Sequence, residues 1–149
     1  MIDIRVDTSG IHDAFNALVN GLRNTSPLMQ EVAHVMDTAV SENFERGGRP
    51  KWLGKWDGSP SKLQDTGRLK SSIQRVFDDS SAVVGTNVIY AGIHQFGGII
   101  RPKKAKALHF NGKFVSQVNM PARPFLKLES DDLQEIELIG QRYLQGLVE

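Results

Sequence analysis

"YAGIHQFGG", residues 90–98, decides how the second half of this chain folds. At a period of two, Ala91, Ile93 and Gln95 alternate with Tyr90, Gly92, His94 and Phe96, which suits a strand. At helical period, Ile89, Ile93 and Phe96 or Gly97 form a stripe, with Tyr90, Ile93 and His94 inside one turn. A short helix ended by Gly97 in the left-handed conformation accounts for both glycines, because Gly98 then lets the chain reverse into "IIRP". In that geometry His94 packs or hydrogen-bonds between elements.

Working outward, "LQDTGRLKSSIQRVF" (63–77) reads as a short helix capped by Asp65 or Thr66 and running into a strand. "DDSS" is a turn and "AVVGTN" a second strand, so residues 72–86 predict a hairpin. Downstream, "IIRP", "KALHF" and "KFVSQV" are strand candidates, the last two joined by the two-residue turn signal "NG". "MPARPFLKL" (120–128) is extended, since each proline turns the residue before it away from helix.

At the start of the chain, Ile2, Ile4 and Val6 alternate with Asp3, Arg5 and Asp7, predicting a short strand with one buried face. Thr8 or Ser9 then caps a helix with Ile11, Phe15, Leu18 and Leu22 on one stripe. A longer helix follows, capped by Ser26, with Pro27 in its first turn and Leu28, Val32, Val35, Met36, Ala39 and Val40 on its apolar face. The two are joined by so few residues that they should pair antiparallel. "SDDLQEIELIGQRYLQGLVE" closes the chain as a helix capped by Ser130, with Leu133, Ile136, Gly140, Tyr143 and Leu147 as its stripe. The predicted class is α+β, a single domain over 1–149: an N-terminal helix pair on a mostly antiparallel sheet of about four strands, with a C-terminal helix.

Residues 47–62, "GGRPKWLGKWDGSPSK", have no apolar period and read as a long surface loop. Its tryptophans, Trp52 and Trp56, either fold back over the core or anchor a partner. Charge is distributed unevenly. Residues 46–127 hold 15 of the 18 Lys and Arg but 4 of the 17 Asp and Glu, a formal +11 in a chain of net +1. Such a middle could hold nucleic acid, could meet the acidic flanks of a second copy head to tail, or could be a solvated face. "RPKKAK" places Arg101, Lys103, Lys104 and Lys106 in six residues, with Trp52 and Trp56 the other candidate partner-binding groups.

Catalytic patterns are missing. The chain has no cysteine, which excludes disulfides, thiol nucleophiles and cysteine-ligated zinc. His94 has no second ligand at metal-binding spacing, no GxSxG elbow is present, and the glycines of "GGRPKWLGK" do not follow phosphate-loop spacing. No catalytic, metal-binding or cofactor-binding residue is predicted, and no small-molecule substrate. Nothing resembles a signal peptide or a membrane span, so a soluble, cytosolic protein is expected.

Three motifs in fixed order, "LQDTGRLKSSI" (63–73), "VVGTNVIYAGIHQFGG" (83–98) and "MPARPFLKL" (120–128), together resemble the phage virion morphogenesis, or tail-completion, family of Mu-like and related contractile-tailed phages and prophages. The likeness covers roughly residues 10–147, and siphophage head–tail connector components carry similar patterns. It implies a non-enzymatic protein that completes the tail or joins it to the head, as one subunit of a ring at the head-proximal end. Its partners would be copies of itself and other tail or connector proteins. It would assemble in the host bacterial cytoplasm and remain in the virion. The resemblance gives a structural role to Thr66, Gly67, Leu69, Tyr90, His94, Gln95, Gly97, Gly98, Arg123, Pro124 and Phe125. The isolated protein should be monomeric or weakly associated, its long loops ordering on docking. A small nucleic-acid-binding domain using the basic middle is the alternative.

Overall fold

The computed structural model describes residues 2–5, 7–110 and 112–149. Among these residues five helices and six short strands follow in the order α1 (Ser9–Arg23), α2 (Ser26–Arg46), α3 (Arg68–Ser71), β1 (Gln74–Phe77), β2 (Ala82–Gly85), α4 (Ala91–Phe96), β3 (Gly98–Ile100), β4 (Leu108–Phe110), β5 (Lys113–Val115), β6 (Val118–Met120) and α5 (Ser130–Val148). The class is α+β. The strands do not join into a single sheet of about four: they form three two-stranded sheets, β1–β2, β3–β6 and β4–β5. Strands of three or four residues, stopped by Pro102, Pro121 and the Asp78–Ser81 turn, are too short to extend one continuous ladder.

By their contacts the residues divide into two units, one of 1–36, 75–83 and 130–149, the other of 37–74 and 84–129. In the first, α1 packs against α5. Tyr143 Oη donates to the carbonyls of Gly21 (2.9 Å) and Asn24 (3.2 Å), satisfying acceptors that the end of α1 leaves open. A side chain at Gly21 would run into Leu147, so this glycine sets how closely the two helices approach. Thr8 is the N-cap residue of α1, as expected, although its side chain makes no capping bond. Asp7, not Thr8 or Ser9, accepts from the Ser9 amide (2.9 Å), and Asn24 accepts from the Ser26 amide (3.0 Å) and hydroxyl.

The α1 stripe predicted to be buried is largely open. Ile11, Phe15 and Leu22 are more than half exposed, and no residue of α1 is fully buried. Among the described residues the expected leading strand is not formed. Residues 2–5 have no regular structure and Ile2 and Ile4 stand in solvent, because no strand lies beside them; Val6 falls outside the described residues.

In the second unit the core is Val40, Phe44, Leu69, Ala91 and Phe125, with Trp52, Leu63, Ile73, Val84, Val88 and Leu126 around it. The Phe44 and Phe125 rings pack tilted with centroids 5.3 Å apart, and Trp52 meets Phe44 in a T-shaped contact at 6.2 Å. β3 pairs antiparallel with β6 (Ile99 opposite Asn119), and β4 with β5 (Phe110 opposite Lys113). The latter is the hairpin expected from "NG", although Asn111 lies outside the described residues.

Candidate functional site

In the second unit His94, Gln95 and Gly97 meet the irregular segment 121–127, which carries Arg123, Pro124 and Phe125. "YAGIHQFGG" resolves as the helix α4. Gly97 ends it with φ +69° as expected, but its ψ of −175° lies outside the left-handed helical well, in a region essentially reserved for glycine. A second constraint acts at the same place. A Cβ there would lie 2.7 Å from the Ala122 nitrogen and 2.8 Å from the Met120 oxygen, so α4 meets the 120–122 backbone only if residue 97 has no side chain.

That approach puts α4 in position to hold the next residues. The His94 carbonyl accepts from the Arg123 amide at 2.7 Å. One residue on, the Gln95 carboxamide behaves like a strand edge. Its Oε1 accepts from the amides of Phe125 (3.1 Å) and Leu126 (2.9 Å), and its Nε2 donates to the Leu126 carbonyl (3.1 Å). From the other side α2 contributes Asn43, fully buried, which donates to the carbonyls of Phe125 (2.7 Å) and Lys127 (3.0 Å). Arg49 fixes that carboxamide by donating from Nε to Asn43 Oδ1 (2.7 Å), while its Nη2 reaches the Ala39 carbonyl (3.0 Å). An extended segment whose polar groups would otherwise be buried without partners is thus satisfied by two side-chain amides.

The segment in turn fastens the long loop. Arg123 is buried and donates through Nε to the Leu53 carbonyl (3.0 Å) and through Nη2 to the Gly54 carbonyl (2.9 Å). Trp52 Nε1 donates to the Pro124 carbonyl (3.3 Å). The loop tip closes on itself, with the Lys55 amide on the Ser59 carbonyl (2.8 Å) and the Gly58 amide on the Lys55 carbonyl (2.9 Å). The loop is therefore tied to the folded unit. The two tryptophans have different positions. Trp52 belongs to the core, whereas Trp56 at the tip is 72% exposed and touches Phe110 edge-on.

Thr66 and Gly67 start α3. Gly67 has φ +76°, and Thr66 Oγ1 accepts from the Arg68 amide (3.3 Å), which lets buried Leu69 enter the core. Tyr90 lies between the Arg68 guanidinium (5.9 Å above the ring) and the His94 ring (5.9 Å, edge-on). Together they border an open groove of about 750 Å³ with Lys55, Lys62 and Phe110. Burial depresses the His94 pKa, and the Arg123 charge adds to the effect, so the ring is held neutral. Its buried Nδ1 has no hydrogen-bond partner in the structure. Arg101, Lys103, Lys104 and Lys106 lie exposed in the loop between β3 and β4.

Sequence reasoning missed Asn43, Phe44 and Arg49. The signal for the first two was present: they continue the apolar stripe of Ala39 and Val40 by one turn, and a polar residue on such a stripe needs a buried partner. Arg49 carried no such mark.

His94 is packed against Tyr90, and the side chains of Gln95, Asn43 and Arg123 are engaged with main chain. The chain belongs to the phage virion morphogenesis family, which it matches over residues 6–145. It is also 38% identical, over 151 aligned positions covering 99% of both chains, to the Mu-like prophage FluMu G protein 2 of Haemophilus influenzae. No solved structure matches it. No helix among the described residues is long and apolar enough to cross a membrane.

Proposed function

We propose that this protein is a non-enzymatic tail-completion subunit that forms a ring at the head-proximal end of a phage tail and joins tail to head. The observation that carries the reading is the division of charge between the two units. The first holds 4 Lys and Arg against 11 Asp and Glu, a formal −7; the second holds 14 against 6, a formal +8. A chain with one acidic and one basic body is complementary to its own copies head to tail, and heterologous contacts of that kind form a ring where the rotation between copies closes. Gln95 and Arg123 hold main chain while Leu69 and Phe125 fill the core, which suits a rigid building block, and the family's part in virion morphogenesis supplies the setting.

The test is deletion of the gene in its prophage, with particles scored by electron microscopy and the deletion complemented in trans. Unjoined heads and tails, or tails of uneven length, restored by the wild-type gene, are expected. Intact virions without the gene would overturn the reading.

The basic unit alone favours the second reading, nucleic-acid binding through the Arg101–Lys106 loop. It predicts affinity for DNA that falls log-linearly and steeply with salt.

A further inference from the structure

Arg123 is buried, yet among the described residues no carboxylate pairs with it. Its Nε and Nη2 are spent on the Leu53 and Gly54 carbonyls, and its Nη1 makes no hydrogen bond among the described residues. A buried cation without a counter-charge is costly, and burial lowers the Arg123 pKa accordingly. The same residue lines the open groove of about 750 Å³, where Lys55, Lys62 and Arg68 join it against one acid, Asp65. Lys62 makes no hydrogen bond or ion pair among the described residues, and Lys55 forms no ion pair there, although Asp57 lies within electrostatic range. Tyr90 and Phe110 give the groove aromatic surface beside these charges. All of these residues belong to the second unit.

Unengaged carboxylates stand in the first half of α5, in the first unit. "SDDLQEIELIGQ", 130–141, contains four acids and no cation. Of these acids Asp132 is buried, whereas Asp131, Glu135 and Glu137 are exposed and make no hydrogen bond or ion pair among the described residues. Asp131, Glu135 and Leu138 recur at i, i+4 and i+7, so they share one face of the helix, with Leu138 55% exposed. Glu137 lies off that face. Arg142, the next residue on it, comes about 10 Å beyond Glu135.

We propose that the groove of one copy receives this face of α5 from a second copy, with the Asp131 and Glu135 carboxylates offsetting Arg123, Lys55 and Lys62 and with Leu138 against the aromatic surface. A carboxylate on a guanidinium makes charge-assisted hydrogen bonds stronger than those to neutral carbonyls, so it completes what the Leu53 and Gly54 carbonyls leave undone. A groove of this size admits side chains of a helix about 10 Å across but not the helix itself, and α5 therefore lies along its mouth. Phosphate would meet the same cations. The acids of α5 are favoured because they and the groove's cations are unengaged in one and the same chain, and of opposite sign. The inference rests on the ring reading and supplies its joint: the basic unit of each copy holds the acidic unit of the next.

Charge exchange in the gene that complements the deletion tests this. Asp131→Lys/Glu135→Lys should abolish complementation, and Lys55→Glu/Lys62→Glu in the same chain should restore it. Lys103→Glu/Lys104→Glu, a basic pair outside the groove, should not restore it. Equal rescue by either lysine pair, or failure of the groove pair to rescue a folded chain, overturns the inference. If the groove serves phosphate instead, the reversed α5 complements fully and Lys55→Glu/Lys62→Glu is defective with either form of α5. Where reversal at the start of α5 unfolds the chain, single cysteines decide, because the protein has none of its own. Lys62→Cys in one copy and Glu135→Cys in a differently tagged copy are co-expressed, and the particles are oxidised. A disulfide-linked dimer carrying both tags is expected, lost when Lys103→Cys replaces Lys62→Cys. No mixed dimer in particles that assemble overturns the inference. The two claims fail separately. Complementation by the reversed α5 defeats this joint alone, whereas intact particles from the uncomplemented deletion defeat the ring reading itself.

Discussion

Asn43 and Phe125, 82 residues apart in sequence, are joined by a 2.7 Å hydrogen bond from a fully buried carboxamide to a main-chain carbonyl. The same carboxamide reaches Lys127 and is held by Arg49, so a helix, a loop and an extended segment meet on one side chain. Removing it leaves the carbonyl of Phe125 buried without a donor. Asn43→Leu should therefore cost about 1–3 kcal/mol of stability despite the gain in apolar surface. Chemical denaturation of the purified variant measures this, and an unchanged midpoint would show that the clasp contributes nothing.

Gly97→Ala should be as damaging. The added Cβ meets the Ala122 nitrogen and the Met120 oxygen, both main chain and unable to turn aside, at a positive φ that alanine resists. A loss of about 1–3 kcal/mol is expected from the backbone conformation alone, with the clash in addition. Gly92→Ala, with nothing near its Cβ position, is the matched control and should be far milder. Equal thermal shifts for the two would contradict the close approach.

Acid should weaken the fold through His94. Its folded pKa lies below the ordinary value of 6.5 because of burial and then the nearby Arg123. As pH falls through 6.5 the unfolded chain takes up the proton first, so stability present at neutral pH is lost progressively below 6.5. The loss is complete once pH passes below the folded pKa. His94→Gln should flatten the stability profile between pH 7 and pH 5 (about the range in which histidine titrates). A variant with the wild-type slope would place the titration elsewhere.

The two tryptophans should separate stability from assembly. Trp52→Ala removes a ring packed on Phe44 and should cost up to about 3 kcal/mol. Trp56→Ala touches little beyond Phe110 and should leave the melting temperature nearly unchanged while reducing complementation of the deletion. Full complementation by Trp56→Ala would remove the loop tip from the docking surface.

What the sequence disclosed follows the range of the interaction. The helices α1, α2, α4 and α5 were legible because their stripes and turns are local, and Gly97 was legible because two adjacent glycines have few other uses. The partners of Arg123 were not. Leu53 and Gly54 lie 70 and 69 residues away and offer main-chain carbonyls, which every residue possesses and no pattern marks. For the same reason the role of Gln95, which imitates a strand edge against Phe125 and Leu126, has no sequence signature. The leading strand was misplaced for a different cause. Its alternation is real, but a strand needs a neighbour, and periodicity does not say whether that neighbour lies in the same chain.

Localisation of the protein on the particle tests the central claim most directly. Virions carrying a C-terminally tagged copy would be labelled with gold and imaged by electron microscopy. Label confined to the junction between tail and head, in every complete particle, is the predicted result. Label absent from virions, or spread along the tail or over the head, would contradict the account.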